Sequence, residues 1–258
     1  MLSQYETNII VKGIELSWTT WGKMRGEKLV LGDISYLKSE NEKGFERIFS
    51  VNIEDNQESR IQQMIANIKS GIIPDSMLIT PNTKPTNLAE ILSREGFIIN
   101  NADPCMMMYL DKYKRNASDR ADFLVSDVIT INQLADWLSI VNSALFGCDL
   151  VTLKQFNDIL TLDNTYFYLG LLNDKPVTAC MTIVHSDTSV LEMVATLEEH
   201  RKKGFASAVI DKALTDLRQK CLKTVSLRAE ADGVGVYKKL GFKECFKRVI
   251  ATYNRDNQ

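Results

Sequence analysis

Apolar positions along this chain switch between a period of about two and a period of about 3.6, and each switch marks an element. Ile9 to Trp18 and Phe45 to Ile53 read as strands. From Ser59 to Ser70 the apolar residues Ile61, Met64, Ile65 and Ile68 fall at helical spacing, and Gly71 supplies a C-cap. Met77 to Thr80 is a short strand. A second helix starts at Thr86, carries Leu88, Ile91 and Leu92 on one face, and stops at Gly96. Cys105 to Leu110 is a strand. The polar segment Tyr113 to Asp122 follows and reads as a linker. Beyond it, Leu134, Leu138, Val141 and Leu145 put a helix over Ile131 to Phe146, with a short helix over Lys154 to Leu160. Thr165 to Asn173 and Lys175 to His185 form a hairpin turning at Asn173–Asp174. Ser189 to Thr196 is a third strand. Val209, Ile210, Ala213, Leu214 and Leu217 line a helix over Ala206 to Lys220. A strand from Thr224 to Ala229, a short helix from Gly233 to Leu240 and a strand from Lys247 to Tyr253 complete the pattern.

Composition narrows the class. The chain has 258 residues, 45% of them hydrophobic and 25% charged, enough apolar material for one large or two small folded domains. The linker divides it into 1–115 and 122–258. No apolar run is long enough to span a membrane, and Met1 to Glu15 lacks the basic and apolar regions of a signal peptide. The net charge is −2, with no basic module or tail, which argues against a nucleic-acid partner. Five scattered cysteines without a Cys-x-x-Cys pair point to reduced thiols, mostly in the core of a cytoplasmic protein. With only His185 and His200, no metal site is expected.

The chemistry concentrates between Ser189 and Ser207. There a strand enters a short acidic loop, then the basic turn Arg201-Lys202-Lys203-Gly204, then a helix. The first N–H groups of a helix lack intrahelical partners, and the dipole adds positive potential, so the turn is an anion site suited to a pyrophosphate. Gly204 allows close approach of the backbone, and Ala206 keeps the next approach small. No Gly-x-x-x-x-Gly-Lys loop or Gly-x-Gly-x-x-Gly fingerprint occurs.

Two motifs carry a family resemblance. Arg201, Gly204 and Ala206 fit an Arg/Gln-x-x-Gly-x-Gly/Ala turn, and Tyr237, Gly241 and Phe242 fit a later Tyr-x-x-x-Gly-Phe motif. With the element order from Thr165 on, residues 122–258 resemble the GNAT acetyltransferase superfamily. The resemblance implies acetyl-CoA as acyl donor and an amine of a small molecule or a protein as acceptor. It implies that Val194, Ala195 and Thr196 pair with the pantetheine arm, and that Arg201, Lys202, Lys203, Gly204, Phe205 and Ala206 form the pyrophosphate turn. Tyr237 would protonate the departing thiolate; in the plainer reading it packs its short helix against Phe242. Strict alternation puts Glu192, Val194 and Thr196 on one face, making Glu192 the first choice of base, with Glu198 and Glu230 as alternatives. A salt-bridged Glu192 is the plainer reading. His200 falls at the pocket rim and His185 at a strand end. Trp137 and Phe146 sit where the family lines its acceptor pocket, or simply in the core. Glu198 and Glu230 also stand where the family often has Pro and Asn.

Residues 1–115 echo the same order of elements, and Leu92 to Phe97 resembles Leu240-Gly241-Phe242. The expected fold class is therefore α+β: two GNAT-like domains, each a mostly antiparallel mixed sheet flanked by helices. The first has lost cofactor binding. Ile73 to Pro81 is expected to be a strand delivering a loop toward the interdomain cleft, a place suited to ligands. A non-catalytic CoA-binding or interaction module on the same fold is the second reading of the whole chain.

Overall fold

The computed structural model describes residues 3–25, 27–39, 46–54, 57–114, 120–156, 160 and 162–255. Phe45, residues 115–119 of the expected linker and residues 157–159 of the expected short helix lie outside the described residues. By its internal contacts the chain divides into two compact units: Met1–Cys105 with Cys245–Gln258, and Met106–Glu244.

Unit 1 contains α1 (Gln4–Arg25), β1 (Lys28–Val30), β2 (Ile34–Lys38), β3 (Arg47–Val51), α2 (Glu58–Lys69), β4 (Ser76–Ile79) and α3 (Leu88–Arg94). It also holds β5 (Ile98–Tyr109) up to Cys105 and β11 (Lys243–Thr252) from Cys245. β1, β2 and β3 are antiparallel neighbours, β4 is parallel to β3, and β11 runs antiparallel to β4 with β5 beside it. On one face α2 and α3 bury Ile61, Met64, Ile68, Leu88 and Leu92 against Met77, Ala251 and Tyr253. On the other, Ile14 and Trp18 of α1 pack on Leu37, Phe49 and Leu78.

The strand expected over Ile9 to Trp18 is instead the middle of α1. The β-branched run Ile9-Ile10-Val11 favours a strand locally. Packing overrides it, because the buried Thr7, Ile10, Ser17, Trp21 and Met24 recur at helical intervals. A capping box starts the helix: Ser3 Oγ accepts from Glu6 N–H (3.2 Å), and Glu6 Oε2 accepts from Ser3 N–H (3.0 Å). β1 and β2 carry too few residues to show a period. In β5, the polar run Asn100 to Pro104 hides the strand that precedes Cys105.

Unit 2 contains the end of β5, β6 (Phe123–Asp127), α4 (Ile131–Val141), a π-helical turn (Asn142–Phe146), α5 (Leu153–Phe156), β7 (Thr165–Leu172) and β8 (Lys175–His185). β9 (Thr188–Thr196), α6 (Phe205–Gln219), β10 (Thr224–Arg228) and α7 (Val234–Leu240) follow. Strands β6 to β9 form an antiparallel meander, β10 is parallel to β9, and β5 lies beside β10. The sheet is thus mixed and mostly antiparallel, as expected. α6 buries Val209, Ile210, Ala213, Leu214 and Leu217 against Tyr168, Cys180, Leu191 and Val225. On the opposite face Trp137 of α4 meets Phe167 edge-on at 4.9 Å and donates Nε1–H to the Cys180 carbonyl at 3.0 Å. The β7–β8 hairpin turns at Asn173 and Asp174, both at positive φ, as a tight two-residue turn requires. Cys105 and Cys180 are core residues, whereas Cys148 and Cys221 are exposed.

The two units repeat one plan. In each, an antiparallel meander leads to a parallel pair (β3 with β4, β9 with β10), a helix joins that pair, and a short helix ending in Gly-Phe follows. The strand flanking the parallel pair comes from the other half of the sequence. β11, expected to close the second half, belongs to unit 1 beside β4. The end of β5, expected to close the first half, belongs to unit 2 beside β10.

Candidate functional site

β9 and β10 pair only over Thr188–Thr224, Ser189–Val225 and Val190–Ser226. Beyond Val190 the two strands part, although β9 runs on to Thr196 and β10 to Arg228. On its other side β9 stays bound to β8, with an irregularity. Met181 faces Glu192, and Ala179 faces Ala195, so Met193 and Val194 together stand opposite the one residue Cys180. Met193 takes φ +51°, the left-handed conformation of a β-bulge.

The bulge corrects the expected alternation. Glu192 shares a face with Met181 and Ala195, whereas Thr196 pairs with Thr178 on the opposite face. Glu192, Val194 and Thr196 therefore do not line one face. A group missed in the sequence also emerges. The fully buried Thr178 donates its hydroxyl to the Ala195 carbonyl (2.7 Å) and lies 2.8 Å from the Thr196 hydroxyl, fixing the end of β9. Gly170 makes this possible, since a Cβ there would lie 2.4 Å from Thr178 Cγ2 and 2.7 Å from Phe123 Cζ. The available signal was a pair of threonines, Thr178 and Thr182, within an apolar strand.

After Thr196 comes a turn of 3-10 helix at Glu198–His200, then the basic turn. Lys202 and Gly204 both have positive φ, +60° and +86°. The first backbone bond of α6 runs from Ala208 N–H to Gly204 O (3.1 Å), so the N–H groups ahead of it have no acceptor within the helix. A Cβ built on Gly204 would meet nothing within 4 Å, so the space at that position is open.

Side chains divide unevenly around it. Arg201 donates Nε–H to Thr196 O (3.1 Å) and an Nη–H to Ala144 O (3.3 Å), tying the turn to β9 and to the π-helical turn. Lys203 Nζ donates to Glu199 O (2.8 Å). Phe205 is buried and Ala206 half-buried. Asn142 holds the loop after the π-helical turn through paired bonds with Val151, 2.7 and 3.0 Å long. Trp137 is fully buried, a core residue, and Phe146 is half-buried. His185 is exposed at the end of β8. His200 is half-buried, with its ring against Phe205 and Nε2 3.8 Å from Glu199.

Tyr237 sits on α7, buried in the core with Cys180, Leu191 and Leu227 and edge-on to Phe242 at 5.8 Å. Burial raises its pKa first, the nearby Cys180 and Glu192 add to that, and Arg228 partly opposes it. The phenol is thus held protonated at neutral pH. Burial also raises the pKa values of Tyr168 and Cys180. These groups keep protons in the folded protein that an unfolded chain releases above about pH 9–10. Their contribution is complete below that range and is lost as pH rises through it. The thermal unfolding midpoint is therefore expected to fall steeply above about pH 9; a midpoint unchanged up to pH 11 would contradict this.

Residues 168–251 match the family described as FR47-like protein. A GCN5-related N-acetyltransferase from Kribbella flavida superposes with a TM-score of 0.71, over 95% of each chain at 16% identity. The fold is that of the GCN5-related N-acetyltransferases. A tandem GNAT protein from the clavulanic acid biosynthesis pathway matches at a TM-score of 0.62 and 12% identity, over 85% of this chain and 78% of its own. A functionally unknown conserved protein from Staphylococcus epidermidis matches at 0.60 and 17%, over 89% and 95%. No curated protein matches the chain. At these identities the likeness establishes the GNAT fold and no substrate. No described helix is long and apolar enough to cross a membrane.

Proposed function

We propose that unit 2 is an acyl-CoA-dependent N-acetyltransferase, acting in the cytoplasm on an amine of a small molecule or a protein. The observation that carries this reading is the parting of β9 from β10 beyond Val190, leading to an open, basic helix N-terminus at Gly204. Val194, Ala195 and Thr196 would offer backbone groups in the gap to a pantetheine arm, as an added strand does. The N–H groups of Lys203, Gly204 and Ala206 would receive the diphosphate, with Lys202 adding charge. Arg201, already bonded to two carbonyls, holds this turn in place rather than reaching into the open space.

Acyl transfer forms a C–N bond, breaks the C–S bond and moves two protons. Tyr237, kept neutral by burial, would give its proton to the departing thiolate. Glu192, whose charge reaches Tyr237, would take the proton of the attacking amine, directly or through water. Tyr237→Phe is expected to lower thiol release from acetyl-CoA, assayed over a panel of primary amines, by about a hundredfold. Coenzyme A affinity should stay unchanged. A Phe variant as fast as the parent would remove Tyr237 from the acid role.

A further inference from the structure

Unit 1 has the same parallel pair as unit 2, but its gap is filled. β3 and β4 pair at Ile48–Met77. Past that point the chain makes a tight local turn at Thr80–Thr83 and then continues in the same direction; Thr83 N–H donates to Thr80 O (3.0 Å) and Thr80 N–H to Thr83 Oγ1 (2.9 Å). Lys84 then lies beside the end of β3, parallel to it and bridged to Asn52. Its N–H donates to Val51 O (3.1 Å), and its carbonyl accepts from Ile53 N–H (3.2 Å). Thr83 and Pro85 on either side are buried. In unit 2, among the described residues, no strand pairs with β9 after Val190 on the side of β10.

The sequence before the joining helix differs in the same sense. In place of the basic residues with Gly204, residues 54–58 read Glu-Asp-Asn-Gln-Glu. Glu54 pairs with Lys84 at 3.2 Å, and Glu58 opens α2. Acidic groups at a helix N-terminus satisfy the dipole and repel an anionic ligand. The first helical bond of α2, Ile61 N–H to Gln57 O (3.2 Å), matches that of α6, but here the Arg60 N–H also bonds to Gln57 O (3.0 Å), which leaves one N–H fewer for an anion.

We propose that unit 1 is a self-filled counterpart of unit 2: its own segment Thr80–Pro85 takes, as backbone, the place left open in unit 2. The chain then binds one coenzyme A, and unit 1 serves as a fixed scaffold that no donor opens. The stoichiometry rests on the donor site proposed for unit 2, whereas the closure of unit 1 does not.

Calorimetric titration of coenzyme A into the full chain, with amide hydrogen exchange read at Ile53 and Lys84, tests this. One site per chain is expected, absent in Gly204→Glu, with both amides exchanging about a hundredfold slower than in an unfolded chain, with or without coenzyme A. A second site, binding that survives in Gly204→Glu, or faster exchange at Ile53 and Lys84 on adding coenzyme A would overturn the proposal. If the parent binds nothing, the donor site of unit 2 fails. Exchange then decides the closure of unit 1 alone: slow amides uphold it and fast ones refute it.

Discussion

A chain ending at Glu244 is expected to lose unit 1. The deletion takes β11 away from β4, where Val249, Ile250, Ala251 and Thr252 pair with Ile79, Leu78, Met77 and Ser76. Met77, Leu78 and Ala251 are fully buried, so the loss opens the middle of the unit rather than trimming its edge. Tyr253 goes too, with its ring 5.1 Å from Phe97 and its N–H on Asp75 O (2.9 Å). Arg255, which bonds the carbonyls of Ile68 and Ile73 at 3.2 Å each, no longer caps the end of α2. Asp103 of β5 loses its bond from Arg248 of β11 (2.8 Å). Fully burying one such side chain is worth about 1.5–3 kcal/mol. A folded domain keeps a margin of only about 5–15 kcal/mol. Several such losses together are enough to unfold the unit. Limited proteolysis should cut the truncated chain within residues 1–105 at a dose that leaves the full chain whole. Equal resistance would show that β11 is dispensable to unit 1.

That exchange of strands is also where the sequence was least informative. Local pattern located α6, β8 and the Asn173–Asp174 turn, because each is set by residues within a few positions of one another. Which strand β11 pairs with is a long-range choice, and period alone carries no information on it. The error at α1 has a different cause. Three β-branched residues dominate a local reading, while the helix is decided by tertiary burial of Ile10, Trp21 and Met24 and by the Ser3–Glu6 capping box. The basic turn and the Tyr237 motif stand out in the sequence because each carries a glycine at positive φ, Gly204 and Gly241, beside a run of basic residues or an aromatic pair. The bulge at Met193 does not, since one residue at positive φ leaves no mark in the pattern and yet moves Thr196 off the face that Glu192 occupies. The bonds of Arg201 to Thr196 and Ala144 were equally out of reach, because one partner lies in the distant π-helical turn.

The second large effect is expected at Gly204. Its φ of +86° means that any other residue strains the backbone, by about 1–3 kcal/mol, although a Cβ would touch nothing within 4 Å. A glutamate there projects volume and negative charge into the open space before α6, where a diphosphate would meet the free N–H groups. The affinity for coenzyme A should fall at least about a hundredfold, or about 2.7 kcal/mol. Backbone strain alone can be separated from this. Gly96 has φ +90° and equally open surroundings, but it ends a helix of unit 1 and has no part in the proposed site. Gly96→Glu therefore carries the same conformational penalty without the same charge placement. The deciding measurement is a calorimetric titration of coenzyme A into the parent chain, Gly204→Glu and Gly96→Glu. Equal binding by the parent and Gly96→Glu is expected, with at least about a hundredfold loss in Gly204→Glu. A parent chain that does not bind, or a Gly204→Glu variant that binds as the parent does, would contradict this expectation.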